Sequence, residues 1–277
     1  MNVLYCGDGN IERGLIISVM SLLKNISDEL HIWVLTTEMD FGDKHITPVK
    51  DDVISALGEY MKGYNKSNSI TLIDTTELFK NEVPAINMGT RFTPCCMLRL
   101  FSDEVSEIPD KIMYLDNDVV CRGDPSVFYN QDMTGYEIAG VLDYYGGWFF
   151  RRNPFKRDYL NSGVLLMNMD MIRKTGLFKK CRKRCCEKKM FMPDQSAINK
   201  LAVSKKICPR KYNEQRKLKI DTVMQHFTTS FRFFPYIRTV TVKPWDIGKL
   251  HEVLKLHEYD DLLSEYTAFY EAIIDNR

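Results

Sequence analysis

The first half of the chain alternates short apolar runs with segments in which apolar residues recur at helical spacing. The runs Val3 to Cys6, Ile32 to Leu35 and Ile70 to Ile73 have the length and composition of buried strands. Leucine, valine and isoleucine recur at helical spacing over residues 15–26, and Val49 to Tyr60 predicts a second helix. This order predicts a β-α-β-α-β unit, and therefore a parallel sheet with right-handed crossovers.

The second half predicts further strands and then becomes irregular. Ile112 to Leu115, Glu137 to Leu142 and Gly163 to Met167 are the predicted strands, and Pro94 to Phe101 is a predicted helix. Beyond about residue 200 the pattern is irregular until a helical region from Leu250 to Ile274. We predict an α/β fold with a mostly parallel, Rossmann-like sheet flanked by helices. Its main domain would cover residues 1–245, with a helical extension over residues 246–277.

Two carboxylates directly follow the predicted strand that ends at Leu115. Asp116 and Asp118 are two residues apart, so they would point to the same side at the carboxyl end of that strand. Open parallel sheets bind ligands just beyond the carboxyl ends of their strands. Carboxylates there, with the amide of Asn117 between them, suit Mg²⁺ or Mn²⁺ and thereby a diphosphate group. The alternative is a plain turn, because Asp and Asn favour turns.

Other predicted strands also end in polar residues. Asp8 and Asn10 follow the first strand, where they could contact a nucleotide base and ribose or cap the next helix. Asp143 follows the strand that ends at Leu142, as a pocket residue or as a turn aspartate. Asn161 and its two neighbours precede an apolar run, either as polar groups entering from a pocket or as an ordinary loop.

Two predicted helices carry further candidates. Arg99 could hold a diphosphate with its planar fork of donors, or could be an ordinary surface arginine. Asp194 stands before a helix predicted from Ala197 and could be its N-cap. Gln195 would then lie at the helix start, a suitable place for hydrogen bonding to a sugar.

The last candidates lie in the irregular part of the chain. His226 stands in an apolar run typical of a strand, either as a structural histidine or as a nitrogen ligand for a metal. Lys243 precedes Pro244 and Trp245, which could aim its ammonium group at a phosphate. An exposed lysine beside a loop proline is the alternative.

Composition places the chain among globular proteins. It has 277 residues, of which 44% are hydrophobic and 27% charged, and a formal net charge of +1 that favours no nucleic-acid partner. The 8 cysteines lack the spacing of a zinc site, which favours reduced thiols. The first residues do not resemble a secretory signal, and no apolar stretch reaches about 18 residues. We therefore expect a cytoplasmic protein.

Two segments rich in cations could contact an anionic surface. Seven lysines and arginines lie within residues 179–189, as a solvated helix face or as a contact with anionic lipid at the inner face of the plasma membrane. A second segment, residues 148–157, combines cations with aromatic side chains, which suits a membrane interface or a sugar platform.

Taken in order, these motifs resemble glycosyltransferase family 8, retaining transferases that include bacterial lipopolysaccharide galactosyl- and glucosyltransferases. The resemblance runs from Val3 to Trp245. It implies a GT-A fold, a UDP-sugar donor and a requirement for Mn²⁺, with Mg²⁺ as a substitute. Its most specific parts are Tyr114-Leu-Asp-Asn-Asp, Leu160-Asn-Ser-Gly-Val-Leu-Leu-Met-Asn, Asp194-Gln195, and His226 followed by Lys243-Pro-Trp.

The resemblance also implies a role for each candidate residue. Asp116, Asp118 and His226 would be the metal ligands, with Asp116 also near the ribose and Asn117 counted with the donor-binding residues. The other implied roles are uridine contacts for Asp8 and Asn10, diphosphate and sugar contacts for Arg99 and Lys243, and hexose contacts for Asp143, Asn161, Asp194 and Gln195.

Three of these residues, Gln195, Asp143 and Arg99, are the implied catalytic group. Gln195 would lie near the β-face of the anomeric carbon, where the nucleophile of a double displacement belongs. Because an amide is a poor nucleophile, we expect departure and attack on the same face of the sugar. Arg99, Lys243 and the metal would stabilise the charge that grows on UDP.

The expected activity is Mn²⁺-dependent transfer of galactose or glucose from UDP to a glycan or glycolipid. A UDP-sugar-binding protein without turnover and a sugar nucleotidyltransferase are the alternatives, although the chain lacks the phosphate loop that the latter needs. Thr228 and Thr229 follow His226 where the family commonly has glycine, and residues 231–242 are inserted before Lys243. This insertion predicts a remodelled lid or acceptor site.

Overall fold

The computed structural model describes residues 1–42, 44–89, 94–146, 158–232 and 238–275. The aromatic and cationic segment 148–157 therefore lies outside the described residues. The strands are β1 (Asn2–Cys6), β2 (His31–Thr36), β3 (Met39–Phe41), β4 (Lys44–Ile46), β5 (Ser69–Asp74), β6 (Lys111–Leu115), β7 (Val119–Cys121), β8 (Ile138–Leu142), β9 (Leu160–Asn168), β10 (Lys205–Ile207), β11 (Met224–His226), β12 (Ser230–Arg232) and β13 (Arg238–Val240).

Helices flank these strands, and several short turns are wound as 3₁₀ or π helix. The 3₁₀ segments are Gly9–Ile11, Pro94–Phe101 and Arg210–Tyr212, and Leu250–Leu254 forms a π-helical turn. The α-helices are α1 (Glu12–Leu23), α2 (Asp51–Tyr64), α3 (Thr76–Asn81), α4 (Ala85–Met88), α5 (Ser126–Tyr129), α6 (Met169–Thr175), α7 (Leu177–Glu187), α8 (Pro193–Leu201), α9 (Ile247–Lys249) and α10 (Asp260–Asp275).

A seven-stranded sheet with the order β10-β8-β9-β6-β1-β2-β5 forms the centre of the protein. Neighbouring strands are parallel except at β9, which runs antiparallel to both β6 and β8. The β-α-β-α-β unit is confirmed as β1-α1-β2-α2-β5, with the hairpin β3–β4 between β2 and α2. The predicted α/β class with a mostly parallel sheet is therefore confirmed.

The sheet separates two apolar cores, and alternate residues of each strand enter opposite cores. In β1, Val3 and Tyr5 pack on one side and Leu4 and Cys6 on the other. This alternation follows from the pleat of a strand, which sends successive side chains to opposite faces. Both faces are covered, so the central strands have near-continuous apolar sequences. The same alternation in β6 determines where the residues after Leu115 point.

The C-terminal helix α10 belongs to the first of these cores. It packs against α1 and α2, and Leu262, Leu263 and Tyr266 are among its buried residues. Because α1 contacts α10 as well as the sheet strands around it, its buried residues occupy nearly all of its circumference. The domain boundary at residue 245 stays a prediction.

Two predicted boundaries in the second half are wrong. Strand β9 begins at Leu160, so Asn161 and Ser162 are strand residues and do not form a loop before it. Helix α8 begins at Pro193, four residues earlier than predicted, because proline is well suited to the first turn of a helix. Both corrections place polar residues on regular elements, where their side chains have fixed directions.

The basic run 179–189 does not present all its cations to solvent. Arg182 is 2% exposed, and its guanidinium group is paired with Glu82, Asp103 and Glu104. It also lies over the ring of Phe101, with 5.0 Å between Cζ and the ring centroid. This ion cluster joins α7 to the turn that follows Pro94–Phe101. Contact of the exposed lysines with anionic lipid stays a prediction.

All 8 cysteines lie in the described part of the chain as free thiols, as predicted. Burial raises the pKa of Cys6, Cys95 and Cys181 well above the ordinary value, so these thiols stay protonated at neutral pH. Within the described residues, none of the helices combines the length and the apolar character needed to cross a membrane.

We expect replacement of Arg182 by leucine to lower the free energy of unfolding by about 3–5 kcal/mol, because it removes the buried guanidinium group and leaves the largely covered carboxylate of Asp103 without its counter-charge. Urea denaturation measures this change. Lys183→Leu on the same helix is the matched control, since Lys183 is exposed and its ion pair with Glu187 is 3.9 Å long. The control should change stability by less than about 0.5 kcal/mol. Equal losses in the two variants would contradict the structural role of the cluster.

Candidate active site

Asp116, Asp118 and His226 converge beyond the carboxyl end of β6. Asp116 and Asp118 lie between β6 and β7, and β11 pairs antiparallel with β7 so that His226 is opposite Val119. The Nε2 atom of His226 is 3.1 Å from Oδ1 of Asp118 and 3.5 Å from Oδ2 of Asp116. The predicted meeting of the acidic pair with a distant imidazole is confirmed. Two carboxylates and one imidazole are a suitable donor set for a divalent transition metal.

The surroundings of the three residues are suited to small and polar groups. A Cβ atom at Gly163 would lie 2.1 Å from Cε1 of His226 and 2.7 Å from Oδ2 of Asp116, so no larger residue fits beside them. The Nδ1 atom of His226 lies 3.2 Å from Oδ1 of Asn213, which holds the ring by its far nitrogen and leaves Nε2 for a metal. The residues present therefore fit a bound divalent cation.

Buried charges at this site are balanced by neighbouring groups of opposite sign. Burial alone would raise the pKa of Asp118, but the ammonium group of Lys243 and the imidazole of His226 outweigh it and hold that pKa well below its ordinary value. Burial alone would lower the pKa of His226, but Asp118 and Asp116 outweigh it and raise that pKa. The carboxylate of Asp118 is therefore ionised and available to a cation at neutral pH.

Lys243 reaches the site from the end of the segment inserted after His226. The inserted residues form the hairpin β12–β13, apart from residues 233–237, which lie outside the described residues. The Nζ atom of Lys243 donates to Oδ2 of Asp118 and, at 3.1 Å, to the carbonyl oxygen of Phe227. A cationic group thus already binds the carboxylate that we assign to a metal. The role of the insertion as a lid or acceptor site stays a prediction.

Arg99 lies behind the acidic pair and is 2% exposed. Its Nη2 atom donates to Oδ1 of Asp116 at 2.9 Å, Nη1 donates to the carbonyl oxygen of Ser162 at 2.6 Å, and Nε lies 3.2 Å from Oδ2 of Asp194. The guanidinium group also lies 3.9 Å from the ring centroid of Tyr114. The surface-arginine alternative is wrong. These contacts position Asp116 and Asp194, and the predicted contact with a diphosphate stays a prediction.

Asp116 has a second buried donor in Tyr114. Burial raises the pKa of this phenol well above its ordinary value, so its hydroxyl group stays protonated and donates to Oδ1 of Asp116 at 2.7 Å. Together, Tyr114 and Arg99 hold one carboxylate oxygen and leave the other facing His226. Asp116 is therefore oriented by Tyr114 and Arg99, whose contacts with it were not predicted from the sequence.

A chain of amide and carboxylate groups extends from His226 to helix α8. Asn213 donates to Oδ1 of Asn161 at 2.9 Å, and Asn161 donates to Oδ2 of Asp143 at 2.9 Å. Gln195 donates to the same carboxylate oxygen at 3.3 Å. The three sugar-site candidates Asp143, Asn161 and Gln195 thus lie together, as expected. This row of polar groups could bind the hydroxyl groups of a sugar.

The turn interpretation of Asp143 is confirmed for one of its carboxylate oxygens, and its role as a pocket residue stays a prediction. Oδ1 accepts from the backbone amides of Tyr145 and Gly146 in a turn, and Oδ2 faces Asn161 and Gln195. The N-cap interpretation of Asp194 is wrong, because Met192 occupies that position and Asp194 lies in the first turn of α8. Its carboxylate instead contacts Arg99, and burial raises its pKa despite that contact.

Asp8 and Asn10 lie after β1, the parallel neighbour of β6, so both strands end at the same edge of the sheet. Asp8 is the cap of the turn Gly9–Ile11 and accepts from the backbone amide and the side chain of Asn10, each at 3.1 Å. Capping therefore applies to Asp8 and not to Asn10. Their proposed contact with uridine is compatible with this position and stays a prediction.

Asn117 lies against the first helix. A Cβ atom at Gly14 of α1 would be 2.4 Å from the carbonyl oxygen of Asn117 and 2.6 Å from the ring of Trp245. Asn117, which lies between the two aspartates, therefore packs directly against Gly14, and Trp245 packs beside it. One further site residue, Asn213, was not predicted, and Ser162 was predicted only as a neighbour of Asn161. Asn213 lies in the irregular region without any recognisable motif, whereas Ser162 is part of the predicted Asn-Ser-Gly segment.

Comparison with known proteins shows the family to which the chain belongs. The model of the family "Glycosyl transferase family 8" matches residues 2–247, so the chain belongs to glycosyltransferase family 8. The predicted family is therefore confirmed. A lipopolysaccharide 1,2-glucosyltransferase of Escherichia coli is 25% identical over 297 aligned residues, covering 94% of this chain and 84% of the relative. A lipopolysaccharide 1,3-galactosyltransferase of Salmonella typhimurium is 25% identical, covering 88% of this chain and 72% of the relative.

Solved structures agree with this assignment at the level of the fold. The galactosyltransferase LgtC in complex with donor and acceptor sugar analogues superposes with a TM-score of 0.68 at 17% identity, covering 96% of both chains. An active-site mutant of LgtC gives a TM-score of 0.69 at 16% identity, covering 97% of this chain and 95% of the other. The predicted GT-A fold is therefore confirmed.

We expect Gly163→Ala to weaken binding of Mn²⁺ to the metal-free protein by at least tenfold, because the new methyl group forces His226 and Asp116 apart. Calorimetric titration with Mn²⁺ measures this loss. Gly63→Ala in α2 is the matched control, since a Cβ atom there meets nothing within 4 Å. Unchanged Mn²⁺ affinity in the Gly163 variant would show that the ion binds elsewhere.

Proposed function

We propose that this glycosyltransferase moves galactose or glucose from a UDP-sugar to a glycan or glycolipid acceptor, with retention of configuration and with dependence on Mn²⁺. The observation that carries the proposal is the convergence of Asp116, Asp118 and His226 at the sheet edge where nucleotides bind in open α/β folds. Relatives named for glucose and galactose transfer to lipopolysaccharide support the class of sugar and acceptor.

The donor would lie along the carboxyl ends of β1 and β6. Asp8 and Asn10 would contact the uridine, and Asp116 and Asn117 would lie beside the ribose and diphosphate. The hexose would then extend toward the polar row formed by Asp143, Asn161 and Gln195. The pairing of β1 with β6, and of β6 with β9, supports this order, because β9 carries Asn161 at the same edge.

The protein's own groups would prepare the departure of UDP. A bound Mn²⁺ would supply positive charge against the diphosphate as the bond to the sugar breaks. Lys243 is partly exposed. When the donor binds, its ammonium group would leave Asp118 and bind a diphosphate oxygen instead. Arg99 would hold Asp116 in place throughout, because its guanidinium group is buried among protein acceptors.

Gln195 would hold the hexose in the correct orientation. Its Oε1 atom accepts from the backbone amide of Ser162 at 2.9 Å, and its Nε2 atom donates to Asp143 at 3.3 Å, so both ends of the amide are fixed. A fixed amide is suited to hydrogen bonding and is a poor nucleophile. This supports attack of the acceptor on the face that UDP leaves, with the departing diphosphate taking the acceptor's proton.

We expect Asp118→Asn to lower the rate of Mn²⁺-dependent UDP release by at least about 100-fold, the rate equivalent of about 3 kcal/mol of lost charge stabilisation. The assay measures UDP from UDP-galactose and from UDP-glucose, with and without Mn²⁺. Asp132→Asn is the matched control, because Asp132 is an exposed turn residue bonded to Thr134.

The same assay separates the alternatives. Full turnover in the Asp118 variant would refute the metal assignment. A wild-type protein that binds UDP-sugars but releases no UDP from any of them, with or without an acceptor, would instead be a non-catalytic binding protein.

We expect Gln195→Ala to lower kcat on the order of 100-fold, as loss of one oriented hydrogen-bond donor does in other active sites. The product should keep the anomeric configuration of the donor, as determined by NMR, since the mechanism does not use the amide as a nucleophile. Gln131→Ala, which removes a partly buried surface glutamine bonded to Phe128, is the control. A covalent sugar adduct detected on the protein by mass spectrometry would contradict this mechanism.

A further inference from the structure

Three metal-ligating side chains meet in the C-terminal segment, outside the candidate active site. The Nε2 atom of His251 is 2.7 Å from Oδ1 of Asp260, and the Nδ1 atom of His257 is 3.1 Å from Oδ2 of the same carboxylate. The two imidazole rings are stacked, with centroids 4.3 Å apart and an interplanar angle of 19°. One ligand atom from each of the three residues lies within 4.8 Å of the others.

The backbone brings the two histidines together by a strained turn. His251 lies in the π-helical turn Leu250–Leu254, which ends at Lys255 with a φ of 54°. A positive φ is costly for a residue with a Cβ atom, so the rest of the turn must hold it in place. The backbone amide of Leu256 donates to the carbonyl oxygen of Leu250 at 3.1 Å and closes the turn. This reversal lays the ring of His257 on the ring of His251.

Asp260 then places a carboxylate against both rings from the first turn of α10. Each of its oxygens faces a different imidazole nitrogen. The three side chains are therefore in contact with one another, although they come from three separate turns of the chain.

We propose that His251, His257 and Asp260 bind a late first-row divalent cation of the Zn²⁺ class, with water as the remaining ligand. Two imidazole nitrogens and one carboxylate oxygen favour such ions over Mg²⁺ and Ca²⁺, which prefer oxygen ligands. Ligand atoms of one tetrahedral zinc ion lie roughly 3–3.5 Å apart, given metal–ligand distances of about 2.0–2.2 Å. His257 and Asp260 are exposed and His251 is half-buried, so the side chains can rotate. The two rings must turn out of their stacked arrangement before both can direct a nitrogen atom at one ion.

Two cations near the three ligands in sequence are paired with other acids. Lys249 is paired with Asp246, and Arg122 is paired with Glu258 at 2.6 Å. The formal charge of the ligand set, with both imidazoles neutral, comes from Asp260 alone. A divalent ion therefore meets an attractive field.

This site differs from the candidate active site in its donors and in its place in the fold. Asp116, Asp118 and His226 offer two carboxylates and one imidazole, whereas the C-terminal group offers one carboxylate and two imidazoles. A bound ion would join the turn after Ile247–Lys249 to the start of α10, which packs against α1 and α2. Its effect would thus be to fix the beginning of the C-terminal helix.

Competition of the whole protein with a chromophoric zinc chelator tests the proposal. The proteins compared are the wild type, the double variant His251→Gln/His257→Gln and His226→Ala, the last of which separates the two sites. We expect the double variant to lose one zinc equivalent, or to bind it at least about 10- to 100-fold more weakly. Replacing a residue that only supports a metal ligand already weakens metal binding by about this factor. His226→Ala should keep that equivalent.

His45→Gln is the matched control. His45 is exposed and contacts Asp40 at 2.7 Å, yet it has no second imidazole among the groups that bond to it. It should bind zinc as the wild type does, and circular dichroism should show that every variant is folded. Zn²⁺ should also raise the Tm of the wild type and the control more than that of the double variant. Wild-type zinc stoichiometry and affinity in the double variant would overturn the proposal.

Discussion

The need to hold two carboxylates and an imidazole within a few ångströms of each other, largely out of water, dominates this structure. Such a group is costly to bury unless neighbouring charges and hydrogen bonds compensate it. Lys243 and Arg99 supply positive charge, Tyr114 and Asn213 supply hydrogen bonds, and the missing side chain of Gly163 supplies space. Each of these contributors comes from a different part of the chain, so the site exists only when the sheet is complete.

The sheet order explains how these parts meet. β6 lies between β1 and β9, so the residues that follow β1 and those that begin β9 flank the acidic pair at one edge. Because β9 runs antiparallel to β6, it is the amino-terminal end of β9, with Asn161 to Gly163, that reaches this edge. Arg99 then joins Asp116 to Asp194 on α8. The candidate metal ligands and the candidate sugar-site residues are consequently parts of one hydrogen-bonded network.

The local pattern of apolar and polar residues was sufficient to predict the strand and turn near the acidic pair. Contacts between residues far apart in the sequence could not be predicted from it. The apolar run before Asp116 and the two-residue period predicted a strand and a shared side for both acids, and the order of motifs indicated the family. The antiparallel direction of β9 could not be predicted, because a short buried run has the same composition in either direction. Arg182 illustrates the same limit, since its helix position resembles those of exposed neighbours and its burial depends on acids about 80 to 100 residues away. Asn213 carries no local signal at all.

The most direct test is anomalous diffraction at the manganese absorption edge from crystals of the protein grown with Mn²⁺ and UDP. We predict one strong peak within bonding distance of Asp116, Asp118 and Nε2 of His226, with the diphosphate oxygens completing the coordination. A manganese ion bound to UDP but not to these three residues would contradict the account, as would a diphosphate that lies away from the carboxyl end of β6.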